Sequence, residues 1–340
     1  MITDLIENFR TISIIGMGKN TGKTTTLNYI LSETRDLYTF GLTSIGRDGE
    51  EYDSITFTGK PQIYVERGTY IATAKQTFFN SEITKEIIAT TGINTSMGEI
   101  IIAKALNGGY VDLAGPSINI QMKEVCSQLL NMGCQKILID GALNRKTQAS
   151  PSVSEGTILT TGAALSMNID ETVEKTVFTV RLLSTKTEKD KEILSIIKSI
   201  MDKSRIGFIY RDKTFKTLEV LTSLESSKEI VENIDDATHV VIKGVISDKL
   251  IEGIMSSTKK HKNVSFIVED GTKLFLSSST YDKFKKMGGI FKVVEPITII
   301  CVTSNPVSPY GYEYDNNELL DKLRTGINLP VFDIMDGNAY

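Results

Sequence analysis

The arrangement that most limits how this chain can fold lies near its start. An apolar run at residues 12–15 has the composition of a buried strand, and residues 25–31 have that of a helix. Between them stands Gly16-Met17-Gly18-Lys19-Asn20-Thr21-Gly22-Lys23-Thr24. A strand, a glycine-rich turn and a helix opening on Gly-Lys-Thr make a cradle for a polyphosphate. Glycines let backbone N–H groups curl round the phosphates with no Cβ in the way. Lys23 is placed to bridge the outer phosphates, the Thr24 hydroxyl to hold Mg²⁺, and the helix N-terminus to add its dipole. The expected nucleotide contacts are therefore Gly16, Gly18, Lys19, Asn20, Thr21, Gly22, Lys23, Thr24 and Thr25. The common pattern puts a glycine five residues before Gly22, where this chain has Met17 flanked by Gly16 and Gly18. The competing reading is an ordinary glycine-rich strand-to-helix turn with an exposed lysine.

A metal-positioning acid is required on a neighbouring strand. Residues 136–139 lead straight to Asp140, and strand C-terminal ends face the ligand in open α/β sheets. Asp140 is expected to meet Mg²⁺ and, with Lys23, to serve the chemistry; an acid capping the next turn is the alternative. Asp48, beside Arg47 and Glu50, follows the strand expected at 37–43 and is the second candidate metal ligand. A solvated turn accounts for it equally well. Arg145, with Lys146, is the candidate to neutralise charge on a transferred phosphoryl group, against a solvated loop. No Asn-Lys-x-Asp or Thr-Lys-x-Asp box follows a late strand, so ATP is expected rather than GTP. The loop at 303–312 carries prolines that restrict its backbone and tyrosines that offer stacking faces. It reads either as a ligand or partner site or as a rigid surface loop.

Composition sets the wider frame. The chain has 340 residues, 40% hydrophobic and 24% charged, which suits two globular domains. A net charge of −4 with no long basic block argues against nonspecific nucleic-acid binding. Cys126, Cys134 and Cys301 lack metal-type spacing and are expected to be buried thiols in a reducing compartment. Two histidines, His239 and His261, exclude a multi-histidine metal site. The N-terminus shows no secretory signal, and no apolar run approaches the roughly 20 residues of a membrane span, so a cytoplasmic protein with no membrane association is expected.

Strand and helix patterns alternate. Short strands are expected over 54–80, a helix over 82–90, a strand over 110–114 and an amphipathic helix over 118–132. The apolar run at 100–106 fits either type. Further strands are expected at 136–140 and 157–161. A charged stretch at 186–192 opens a helix with a face of Ile193, Ile196, Ile197, Ile200 and Met201. Beyond it, strands are expected at 206–210, 239–245, 264–268 and 297–302, with helices near 246–260 and 279–287. The expected fold class is α/β: a P-loop NTPase-type, mostly parallel sheet flanked by helices over 1–204, and a smaller C-terminal α/β domain over 205–340 that binds a partner or substrate.

Two resemblances extend this reading. Gly16, six residues before Gly22, and Asp140-Gly141-Ala142 resemble the dethiobiotin-synthetase-like branch of P-loop proteins, which implies that Asp48 is the other metal-facing acid. Lys19 is one position away from where the related deviant-lysine family expects its extra lysine, at Gly18, so that role is not assigned. More of the chain resembles the P-loop subunit of the lysine 5,6-aminomutase reactivase. That resemblance is carried by Thr11 to Met17, Lys19 to Tyr29, Leu42-Thr43-Ser44, Gly46-Arg47-Asp48-Gly49-Glu50, Ala114-Gly115-Pro116, Ile139 to Ala142, Arg145-Lys146 and Thr161-Gly162-Ala163. It implies a second reactivase subunit as partner and an adenosylcobalamin-dependent aminomutase as client, in bacteria that ferment lysine. No Asp-x-His-x-x-Gly cobalamin-ligand motif occurs, so the corrin would belong to the client.

Three functions follow from these observations: an ATP-hydrolysing reactivating factor, an ATP-dependent small-molecule ligase of the dethiobiotin-synthetase type, and a nucleotide-dependent switch. The last 135 or so residues favour the first, because a minimal ligase needs no such extension. Association with a second copy of the chain stays open.

Overall fold

Successive residues of a strand point to opposite faces, so a wholly apolar strand has to be covered on both. Ile12, Ile14, Leu42 and Leu138 pack with Leu27, Ile30 and Leu31 in one apolar cluster. Ile137 and Ile139 pack with Met122, Val125, Cys126 and Leu129 in another. A sheet with helices on both faces results. The computed structural model describes residues 2–46, 62–141, 150–220 and 226–334.

The first stretch runs α1 (Ile2–Leu5), β1 (Thr11–Gly16), α2 (Lys23–Thr34), β2 (Phe40–Ser44), β3 (Ile63–Val65), β4 (Tyr70–Ala74), α3 (Lys75–Asn80), β5 (Lys85–Thr95), β6 (Gly98–Ala105) and β7 (Gly109–Val111). It continues through α4 (Asn119–Asn131), β8 (Lys136–Asp140), β9 (Gly156–Gly162) and α5 (Ile169–Leu183). Next come α6 (Lys191–Lys203), β10 (Ile206–Tyr210), β11 (Phe215–Leu218), α7 (Ser227–Asn233), β12 (Ala237–Ile242), β13 (Ile246–Ser247), α8 (Asp248–Ser257), β14 (Ser265–Val268), β15 (Leu274–Phe275), α9 (Ser278–Lys286) and β16 (Ile290–Val293). The chain closes with β17 (Ile299–Asn305), α10 (Asn316–Gly326) and β18 (Val331–Asp333).

Nine described strands form one sheet in the order β18-β17-β9-β1-β8-β2-β4-β6-β5. From β18 to β4 every neighbouring pair is parallel; β6 and β5 then add an antiparallel edge. A second sheet, β11-β10-β12-β14-β16, is parallel from β12 to β16 and antiparallel at β10 and β11.

Two compact units hold these sheets: residues 1–180 with 298–340, and residues 181–297. These bounds differ from the division expected at 204. The buried face of α6, Ile193, Ile197 and Ile200, packs with Ile209, Val241 and Ile267 of the second sheet, so this helix belongs to the later unit. The last strands return to the first sheet, where β17 pairs with β9. The helix expected over 82–90 is instead the strand β5, paired with β6. Residues 100–106 lie largely within β6. Among the described residues no helix is long and apolar enough to cross a membrane. All three cysteines are buried, and burial pushes the Cys126 and Cys134 thiols up to about 12.

In the second unit a buried carboxylate organises the segment before α6. Glu188 accepts N–H groups from Lys189 and Asp190 at 2.7 and 3.0 Å, and lies 2.6 Å from Lys292 Nζ and 3.3 Å from His239 Nε2. Burial alone would raise its carboxyl, but the backbone donors and Lys292 outweigh that and hold it at about 2. A depressed folded-state value stabilises the charged form. The contribution is complete above the unfolded value of about 4.5 and drains away as pH falls toward 2. Glu188→Gln is expected to cost about 2 kcal/mol at neutral pH. Denaturant titrations at several pH values should show the gap between wild type and variant closing from pH 5 downward; a gap independent of pH would contradict this assignment.

Candidate functional site

The turn between β1 and α2 is shaped by two left-handed residues, Asn20 at φ 60° and Gly22 at φ 91°. Gly22 is the residue before α2, whose first turn has no side-chain cap and no acid. The positive end of the helix dipole thus meets no acid of its own first turn. Two further glycines permit close approach. A Cβ on Gly16 would stand 2.8 Å from Thr21 Oγ1 and 3.0 Å from the Lys23 stem; one on Gly18 would stand 2.6 Å from Leu165 Cδ2.

Neighbouring strands hold the turn from one side. Met17 N–H donates to the Thr160 carbonyl at 3.0 Å, and Asn305 Nδ2 donates to the Asn20 carbonyl at 3.2 Å. Thr21 donates to the Gly18 carbonyl at 3.0 Å and meets the Thr160 hydroxyl at 2.9 Å. β1 connects through α2 to β2 on one side of the sheet, whereas β9 neighbours β17 on the other. Such divergence marks the crevice in which open α/β sheets take ligands.

Lys23 is half-buried rather than a free surface lysine. Burial pushes its ammonium below the usual range, and the Asp140 carboxylate pulls against that. Asp140 ends β8, level with Ile14 of β1 and Ser44 of β2. Gly141 N–H donates to the Ile14 carbonyl at 2.9 Å, tying the residue after the acid to the strand that enters the turn. Lys19, Thr24 and Thr25 are also half-buried at or beside the turn. Asp48, Glu50 and Arg47, and likewise Ala142, Arg145 and Lys146, lie outside the described residues. Among the described residues no group of three or more His, Cys, Asp or Glu side chains could hold a metal ion. A Mg²⁺ bound by one carboxylate, one hydroxyl and substrate phosphates needs no such group.

Beyond β8 the sheet edge carries a cavity of about 400 Å³, lined by Gly46, Asn94, Thr95, Gly115, Ser117 and Gln121 among others. Gly115 lets a strap of backbone cross the end of β2: a Cβ there would stand 1.7 Å from the Ser44 carbonyl oxygen. Gly46 N–H donates to the Gly115 carbonyl at 3.2 Å.

The residues that sequence reasoning missed are those bracing the turn. Thr160 in β9 and Leu165 in the 3₁₀ turn after it give no compositional sign of the contact, and Asn305, within the segment read as a ligand or partner loop, ends β17. Of the two tyrosines in the 303–312 loop, Tyr312 is tied down through its hydroxyl, which lies 2.6 Å from the Ala163 carbonyl oxygen and 2.7 Å from that of Ser166. Tyr310 remains exposed. Comparison of the chain with protein-family models, curated proteins and solved structures returned no match.

Proposed function

We propose that this chain binds and hydrolyses ATP, as the nucleotide-handling subunit of a reactivating factor for an adenosylcobalamin-dependent lysine 5,6-aminomutase. The observation that carries the nucleotide reading is a turn where Gly16 and Gly18 occupy positions a Cβ would clash in, with half-buried Lys23 opening α2 and Asp140 ending the neighbouring β8. Lys23 and the backbone of residues 18–25 would hold the phosphates. Thr24 and Asp140 would hold Mg²⁺, which, when bound, offsets phosphate charge. The client is inferred from the sequence resemblance. A reactivating factor works only if its client changes the nucleotide cycle, because a ligand shifts an equilibrium through differential affinity for two states.

The test is recovery of inactivated lysine 5,6-aminomutase with this protein, the second reactivase subunit, ATP, Mg²⁺ and fresh adenosylcobalamin. Activity is expected to return only when ATP is present, and not with the Lys23→Ala protein. Recovery at the same rate without ATP would contradict the mechanism.

A second reading, the dethiobiotin-synthetase-type ligase, is favoured by the cavity beside Gly115. Its volume suits a small molecule, and its neutral hydroxyl and amide lining offers orientation by hydrogen bonds. ATP turnover that depends on one metabolite, with no response to the aminomutase, would select it.

A further inference from the structure

We infer that Thr160 is a positioning residue of the nucleotide site, its hydroxyl fixing the shape of the Gly16–Lys23 turn through Thr21. The inference rests on the nucleotide reading above. Thr160 is fully buried on β9, level with Gly16 of β1. Its carbonyl takes the Met17 N–H and its side chain reaches Thr21, so one residue grips the turn at two points. The single hydroxyl hydrogen of Thr21 goes to the Gly18 carbonyl, which makes Thr160 the donor to Thr21. A chain of hydrogen bonds thus runs from β9 through Thr21 to the backbone at Gly18, in the middle of the turn. Thr21 is itself 1% exposed, so water cannot replace a lost partner.

The turn needs this support. Asn20 is a non-glycine residue in the left-handed region, which asparagine tolerates in turns, and its carbonyl is also held by Asn305. Phosphate recognition by several N–H groups requires them to converge, and small displacements of a supporting shell degrade binding. Thr160 touches no phosphate in this account; it acts through Thr21.

The fold contains its own control. Thr176 donates to the Thr172 carbonyl at 2.7 Å and meets the Thr161 hydroxyl at 2.7 Å. This is the same buried chemistry on the next residue of β9, directed at α5 instead of the turn. A hydroxyl that only satisfies the core would therefore behave alike at both positions.

The experiment is calorimetric titration of Mg·ATP into wild type, Thr160→Val, Thr160→Ala, Thr160→Ser and Thr161→Val, with a thermal midpoint for each. Thr160→Val and Thr160→Ala are expected to weaken binding about tenfold, and Thr160→Ser to restore it to within about twofold. Thr161→Val is expected to lower the thermal midpoint comparably and bind as wild type does. Wild-type affinity in the folded Thr160 variants, or equal weakening in Thr161→Val, would overturn the positioning role while leaving the nucleotide site intact. Absence of binding by wild type itself would overturn both. Thr160→Ala adds no methyl group to the core, so the test stands if Thr160→Val fails to fold.

Discussion

Replacing Asp140 by Asn is expected to lower Mg·ATP hydrolysis about a hundredfold, roughly 2.7 kcal/mol of transition-state stabilisation, while nucleotide still binds. The position explains the split. Asp140 ends β8 next to the strand that enters the glycine-rich turn, and Gly141 is tied to that strand, so the carboxylate lies on a rigid element rather than a loop. Asparagine keeps the shape and loses the charge. Binding energy drawn from backbone N–H groups and Lys23 should persist, and chemistry that depends on a placed metal should not. Steady-state turnover with a parallel binding titration checks this. Near-normal turnover would move the metal-positioning role to Asp48 or Glu50.

Lys23→Ala carries the second large effect, in affinity. A charge-assisted contact to phosphate is lost, expected to weaken Mg·ATP binding at least about tenfold, or roughly 1.4 kcal/mol. The fold should not suffer. Burial already disfavours the Lys23 ammonium, so its removal relieves a desolvation cost offset only in part by Asp140. A thermal midpoint equal to or above that of wild type accompanies the loss of affinity in this account. A variant that unfolds would show Lys23 to be structural.

Much of this site was legible in the sequence because its signals are local. Glycines at 16, 18 and 22 interrupt an apolar strand just before a helix, and each proves to have a steric or conformational reason. The place of Asp140 at a strand end was legible for the same cause: four buried residues of β8 lead to it. Contacts made by topology were not legible. The return of β17 beside β9 brings Asn305 to Asn20, across 285 residues of chain. No spacing in either segment encodes that. Thr160 looks like any strand threonine until β9 is known to lie beside β1.

The strand β5 shows a different failure. Ile83, Ile87 and Ile88 fall at a spacing that suits a helix face, yet the segment pairs with β6. Its register shifts between Ile87 and Ala89, which leaves both Ile87 and Ile88 exposed and destroys strict alternation. Periodicity misreads a bulged edge strand because the bulge erases the period of two. The division between units failed for a related reason. The charged stretch at 186–192 was read as opening the last helix of the first domain, but it contains Glu188, whose buried contacts with Lys292 and His239 bind it into the second unit.

The turn from Gly16 to Lys23 is expected to bind the phosphates of ATP. Titration calorimetry of Mg·ATP into the wild-type protein and into Lys23→Ala tests it most directly. One site per chain is expected in wild type, with affinity at least about tenfold weaker in a fully folded variant. Equal affinity in the two proteins, or no binding by wild type, would contradict it.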